Sequence, residues 1–134
     1  MLVFAAAFVA FAALQLNDPD PIAWTAIYLA AALATALLPS HPMGPSFALA
    51  VLAVAVPWAA VLLARVVGEI AVSDLWLDMS AKGGRVEEGR EAGGLLIVAF
   101  VLVTGLTVRR LRDNPAGLTG IRRPHALWRR LRKR

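Results

Sequence analysis

The residues best suited to chemistry in this chain are carboxylates, and they gather in two short clusters. One is the turn Gln15-Leu16-Asn17-Asp18-Pro19-Asp20-Pro21, and the other is Glu87-Glu88-Gly89-Arg90-Glu91. In the second, Glu87 and Glu91 stand i,i+4 and share a helical face, while Glu88 and Glu91 stand i,i+3. Like charges so placed repel by about 0.2–0.5 kcal/mol per pair unless a counter-charge sits among them. An acid–arginine network through Arg85 and Arg90 would supply one, and acids at a helix start also complement the helix dipole. A cation would supply one too, and donors that are all oxygen select Ca²⁺, Mg²⁺ or Mn²⁺ over softer metals. The ligand or metal candidates are therefore Asn17, Asp18, Asp20, Glu87, Glu88 and Glu91, with Arg90 among them. The cofactor they imply is a hard divalent cation, although neither cluster matches a defined metal loop.

Both clusters also have ordinary structural readings. Asp20 suits a helix N-cap, Pro21 suits the first helical position, and Pro19 keeps Asp18 out of helical geometry. Trp24 and Tyr28, i,i+4 on the following helix, fit either interfacial anchors or the lining of a shallow pocket beneath the acids. Other chemistries find no residues. There is no Cys, and no Ser/His/Asp set, phosphate loop or dinucleotide fingerprint is present. His41 and His125 are isolated from the acids. The apolar runs hold Gln15, Thr25, Thr35, Thr104 and Thr107 but no central charge, which argues against a proton relay or ion pathway.

The elements that must position these residues are membrane helices. The 134 residues form one domain, 59% of them are hydrophobic, and the mean hydropathy is +0.66. The apolar residues run continuously, without the polar face of an amphipathic surface helix. The fold expected is all-α: an integral membrane four-helix bundle over residues 1–108, with transmembrane helices at about 1–16, 21–38, 47–67 and 90–108. The first run lacks a basic n-region, and a second apolar run follows at once, so it reads as a retained helix rather than a cleaved signal peptide. Ala30, Ala31, Ala32, Ala34 and Ala36 allow close packing of the second helix. Pro57 interrupts the third, and Arg65 near its end can snorkel to the interface. Between helices 3 and 4, Val72, Leu75, Trp76 and Met79 share one α-helical face, with Asp74 and Asp78 on another. That pattern predicts a short amphipathic helix at the interface, with Trp76 at headgroup depth.

Residues 109–134 form a basic tail carrying Arg109, Arg110, Arg112, Arg122, Arg123, Arg129, Arg130, Arg132, Lys133 and Arg134. The loops between helices 1 and 2 and between 2 and 3 carry no Lys or Arg, and the loop between helices 3 and 4 carries Lys82, Arg85 and Arg90 with Arg65 at its edge, so ten cations against four place the tail in the cytoplasm by the positive-inside rule. Four crossings then put both termini inside the cell (inner) membrane and turn both acidic clusters outward. In the tail, Trp128, Arg129, Arg130, Arg132, Lys133 and Arg134 fit anionic lipid headgroups, each cation contributing about 1 kcal/mol. Topology already accounts for this charge, so nucleic acid is not an expected partner.

The two clusters also carry a family likeness. Gln15-Leu-Asn-Asp-Pro-Asp20 with Trp24 and Tyr28, and Glu87-Glu-Gly-Arg-Glu91 with Gly94-Leu95-Leu96-Ile97 behind it, resemble the transmembrane protein 220 family. The likeness spans roughly residues 12 to 116. It implies a small multi-pass membrane protein and carries no biochemical activity with it. Asn114-Pro115-Ala116-Gly117 resembles a junction that, in the animal members, precedes a further hydrophobic segment; here the basic tail follows instead.

The function expected is non-enzymatic: a small binding or accessory membrane protein whose outward acids hold a cation, a polar ligand or a partner. One alternative is an interface enzyme using the carboxylates as metal ligands or as an acid/base pair. Another is a structural subunit, packed through its small-residue faces into a homo-oligomer or a larger membrane assembly.

Overall fold

The computed structural model describes residues 1–17, 21–78 and 84–114. All of its regular structure is helical: α1 (Leu2–Leu14), α2 (Pro21–Leu37), α3 (Gly44–Val66) and α4 (Arg85–Asp113). Two short 3₁₀ helices join them, Gln15–Asn17 after α1 and Val72–Trp76 between α3 and α4. α3 and α4, at 23 and 29 residues, are long and apolar enough to cross a membrane. α1 and α2 are apolar but shorter, at 13 and 17 residues. At 1.5 Å per residue those two reach only ~20 and ~26 Å, against a hydrocarbon thickness of ~30 Å.

α1 packs on α2 and α3 packs on α4, while α2 joins the two pairs by touching both α3 and α4. Small side chains line the contacts. Ala31 and Ala34 of α2, Ala48 and Ala55 of α3, and Ala92 of α4 are fully buried. Between helices that both sit in lipid, water expulsion contributes little, so close backbone approach and dispersion hold the pairs together. Leu95, Val98 and Leu102 of α4 recur every three or four residues, the period of one helical face, and are fully buried. Of the alanines expected to pack on α2, Ala31, Ala32 and Ala34 are buried, Ala30 is half-buried and Ala36 is exposed. The helix of α3 continues through Pro57, whose ring leaves the Ala53 carbonyl without its usual intrahelical donor.

α3 ends at Val66, and just beyond it Gly68 takes φ +86°, a left-handed geometry that favours glycine. The amide N–H groups of Glu69 and Ile70 both donate back to the Val66 carbonyl there. The amphipathic segment beyond does not form the α-helix that its spacing suggests. It makes one five-residue 3₁₀ turn, in which the Asp74 carboxylate accepts the Ala71 amide at 2.8 Å. At three residues per turn Val72 and Leu75 eclipse and Trp76 swings away, so the shared α-helical face is lost. Met79 lies outside the described residues.

At the opposite end of the bundle, Arg109 reaches across from α4. Its guanidinium donates to the carbonyls of Leu38 and His41, each at 2.7 Å. These oxygens belong to the end of α2 and the loop after it, where helical carbonyls lack backbone donors. Arg109 therefore serves as a tie between helices. The α-helix also continues to Asp113, so the first residues of the basic tail are helical.

Candidate functional site

Where α1 ends and α2 and α4 begin, the helices leave an open cavity of about 250 Å³. Leu14 and Gln15 line it from the end of α1, Trp24 and Tyr28 from the first turns of α2, and Glu87, Arg90 and Glu91 from α4. The four-residue spacings of Trp24 with Tyr28 and of Glu87 with Glu91 aim each pair at one side of its helix. The floor is aromatic. Trp24 and Tyr28 are each only 5% exposed. Trp24 packs on Trp58 of α3 with ring centroids 4.4 Å apart, and Tyr28 meets Phe11 edge-on at 5.7 Å and stacks on Phe8 at 6.4 Å. Rings from three helices thus fix the floor, and the half-buried carboxylates stand above it.

Gly94 sets how close the floor comes to the acidic helix. A Cβ at this position would collide with the Tyr28 hydroxyl, so the absent side chain lets α2 and α4 meet there. Gly89 does the same for the α3–α4 connection. A Cβ on Gly89 would lie 2.6 Å from the Ile70 methyl and 3.0 Å from a Leu75 methyl.

The second cluster divides by direction. Glu87 and Glu91 line the cavity, whereas Glu88 turns away to Arg85 at 2.7 Å and Arg65 at 3.3 Å. Arg65, expected to reach for headgroups, thus joins α3 to α4 23 positions along the chain. Arg90 is engaged by backbone: its Nε donates to the Leu75 carbonyl at 2.8 Å and a terminal nitrogen to the Leu77 carbonyl at 2.9 Å. Its guanidinium therefore holds the 3₁₀ turn against the start of α4 and forms one rim of the cavity.

Asp18 and Asp20 lie outside the described residues, as do Trp128, Arg129, Arg130, Arg132, Lys133 and Arg134 of the tail. Asn17 ends the first 3₁₀ helix. Among the described residues, no three carboxylates or imidazoles converge to hold a metal ion. The cavity residues Leu14 and Gln15 and the stacking partner Trp58 were not singled out for a site from sequence. The signal that points to Gln15 is its place as the one polar side chain in an otherwise apolar run.

The hydrogen bond from Arg85 holds the Glu88 carboxyl below its ordinary value of 4.5; burial opposes the shift and Arg65 reinforces it. A carboxylate with a depressed folded pKa stabilises the fold above its unfolded pKa, and that contribution is lost as pH falls through the folded value. The protein should therefore lose stability on acidification from about pH 5 downward. Thermal unfolding at stepped pH should show this component in the wild type and not in Glu88→Gln. An equal acid slope in both proteins would remove Glu88 as its source. With Arg65 57% exposed, its part of the network is the weaker one.

The model of transmembrane family 220, helix, matches residues 7–107, which include most of α1, all of α2 and α3, the cavity and most of α4. The chain belongs to transmembrane family 220. No curated protein and no solved structure matches it. Family and helices agree on the setting: this transmembrane family 220 member is an all-helical membrane protein with two long apolar helices. Its matched region carries both motifs that suggested the family, Gln15 to Tyr28 and Glu87 to Ile97.

Proposed function

We propose that this protein crosses the cell (inner) membrane four times and uses the cavity at the outer end of its bundle to bind a small cation, without catalysing a reaction. The cavity carries the reading: the carboxylates of Glu87 and Glu91 stand over the aromatic floor of Trp24 and Tyr28, in about 250 Å³. Carboxylates attract a positive charge, and the Trp24 and Tyr28 side chains give the ligand's alkyl part an apolar wall. A volume of that size exceeds a bare ion and suits an organic ammonium group. Asp18 and Asp20, three and five positions after Gln15, would add acidic character, and Arg90 at the rim would donate to a polar acceptor on the same ligand. A divalent ion is the less favoured ligand, since only two carboxylates line the cavity among the described residues.

Topology follows from charge and length. Arg109, Arg110 and Arg112 at the far end of α4 favour the cytoplasm. α1 and α2, though short, are supported by α3 and α4, and local thinning of the bilayer accommodates their length. The membrane then separates the basic tail from the cavity, with both termini cytoplasmic.

Thermal unfolding of the detergent-purified full chain tests the binding reading. The probes are tetramethylammonium, choline, ethanolamine, Ca²⁺, Mg²⁺ and Mn²⁺ at matched ionic strength. A probe at 100 times its Kd should add about 2.7 kcal/mol. The expected result is stabilisation by an organic ammonium probe, absent in the double variant Glu87→Gln/Glu91→Gln. Stabilisation by a divalent ion alone, lost in the same variant, would make the site a metal site. No shift with any probe would overturn the reading.

A further inference from the structure

A second surface stands beside the cavity, on the connection between α3 and α4. Trp76 is 87% exposed, Val72 81% and Val67 76%, an unusual display for three apolar residues within ten positions. Beneath them runs a groove of about 270 Å³, lined by Val72, Leu75, Trp76 and Arg90. The turn is held in this pose from below: Arg90 grips the Leu75 and Leu77 carbonyls, and the Ile70 and Leu75 side chains close on Gly89. A turn so fastened keeps its apolar tip turned outward.

Composition narrows what covers that tip. The segment carries Glu69, Asp74 and Asp78, charges too costly for the hydrocarbon. Its Trp and Val are poorly placed in bulk water. The layer that suits both is the membrane–water interface, where tryptophan collects. The two long helices that this segment joins also expose apolar side chains, Val54 and Val61 on α3 and Leu96, Ile97 and Phe100 on α4. Arg65 in the last turn of α3 and Arg85 at the start of α4 flank the connection with cations that suit lipid phosphates.

We propose that the Val72–Trp76 turn is a lipid-binding foot. Its partner is the phospholipid bilayer around the protein, with Trp76 and Val72 resting in the headgroup layer of the leaflet at this end of the bundle. Arg90 is the positioning residue of the foot and forms a rim of the neighbouring cavity, so lipid contact on one side bears on the wall of the other. The foot stands on membership of a membrane family and on its own exposure, whatever the cavity holds.

The chain has no cysteine, so single labels can be placed without a background. Val72→Cys, Trp76→Cys, Glu69→Cys and Phe100→Cys are each nitroxide-labelled in the full chain and reconstituted into phosphatidylcholine/phosphatidylglycerol liposomes. Collision with oxygen, which enriches in lipid, is compared with collision with a water-soluble nickel chelate. Labels at 72 and 76 should meet nickel several-fold less than the label at 69 and should fall in depth between 69 and 100. Adding Arg90→Gln should raise the mobility of the label at 76 and move it toward water. Labels at 72 and 76 as open to nickel as the label at 69 would overturn the foot. So would labels closed to both reagents, which would mean that protein covers the surface.

Discussion

Trp24→Ala should cost about 3–5 kcal/mol of stability and abolish ligand binding in the cavity. The side chain is 5% exposed, lies against Trp58 at 4.4 Å, and sits 6.4 Å from Tyr28. Truncation removes the ring that joins α2 to α3 and opens a hole that its rigid aromatic neighbours cannot close. The environment sets where in the range the effect falls. In a soluble protein the loss combines a transfer term and a cavity term. Here separated helices remain in lipid, so the transfer term shrinks, and lost dispersion contacts with it the lower end of the range. Unfolding in mixed micelles measures this directly. Trp24→Phe retains an aromatic face and should retain most of the stability. A cost below about 1 kcal/mol for the alanine variant would mean that the neighbours or lipid refill the space.

Gly94→Ala should destabilise the protein by about 1–3 kcal/mol, although alanine is the better helix former. Helix propensity alone would give a gain of about 1 kcal/mol, so the sign depends on the contact. That contact is the Tyr28 hydroxyl, on a ring packed against Phe8, Phe11 and Trp24, so relief requires displacing the ring or the helix. Either the ring is driven into the cavity or α4 moves away from α2, and both changes reduce binding. A double-mutant cycle isolates this contact. Tyr28→Phe takes away the colliding oxygen, so Gly94→Ala should cost less in that background, with a coupling of about 0.5–3 kcal/mol. Additive effects would show that Tyr28 and Gly94 do not oppose each other.

The two predictions differ in where their cause could be read. An alternation of apolar runs with Pro- and Gly-rich turns marks helices, because backbone satisfaction in lipid is a local requirement and leaves few other solutions. The pairing of Glu87 with Glu91 and of Trp24 with Tyr28 on common faces is equally local, since helical geometry fixes it once the helix exists. Membership of a membrane family was legible in the same two motifs. The carboxylates of Asp18 and Asp20 were grouped with Glu87 and Glu91 on sequence alone, and they lie outside the described residues.

Pattern along the chain thus specifies membrane-embedded helices with acids and aromatics on defined helical faces. What each of those faces meets depends on how the helices pack. Glu88 and Glu91 are neighbours on one helix, yet Glu88 is drawn to Arg65 from α3 while Glu91 opens to the cavity. Arg90, expected among the acids, is taken by two carbonyls of a turn 13 to 15 residues earlier. The amphipathic stretch over Val72–Trp76 has the spacing of an α-helix but settles as a 3₁₀ turn, held by that arginine and fitted against Gly89. Trp58 follows the helix-interrupting Pro57 in sequence, and only its contact with Trp24 makes it the backing of the cavity floor. Each of these outcomes depends on which groups distant in sequence arrive within hydrogen-bonding or contact distance. Periodicity describes one helix at a time and carries no term for its neighbours.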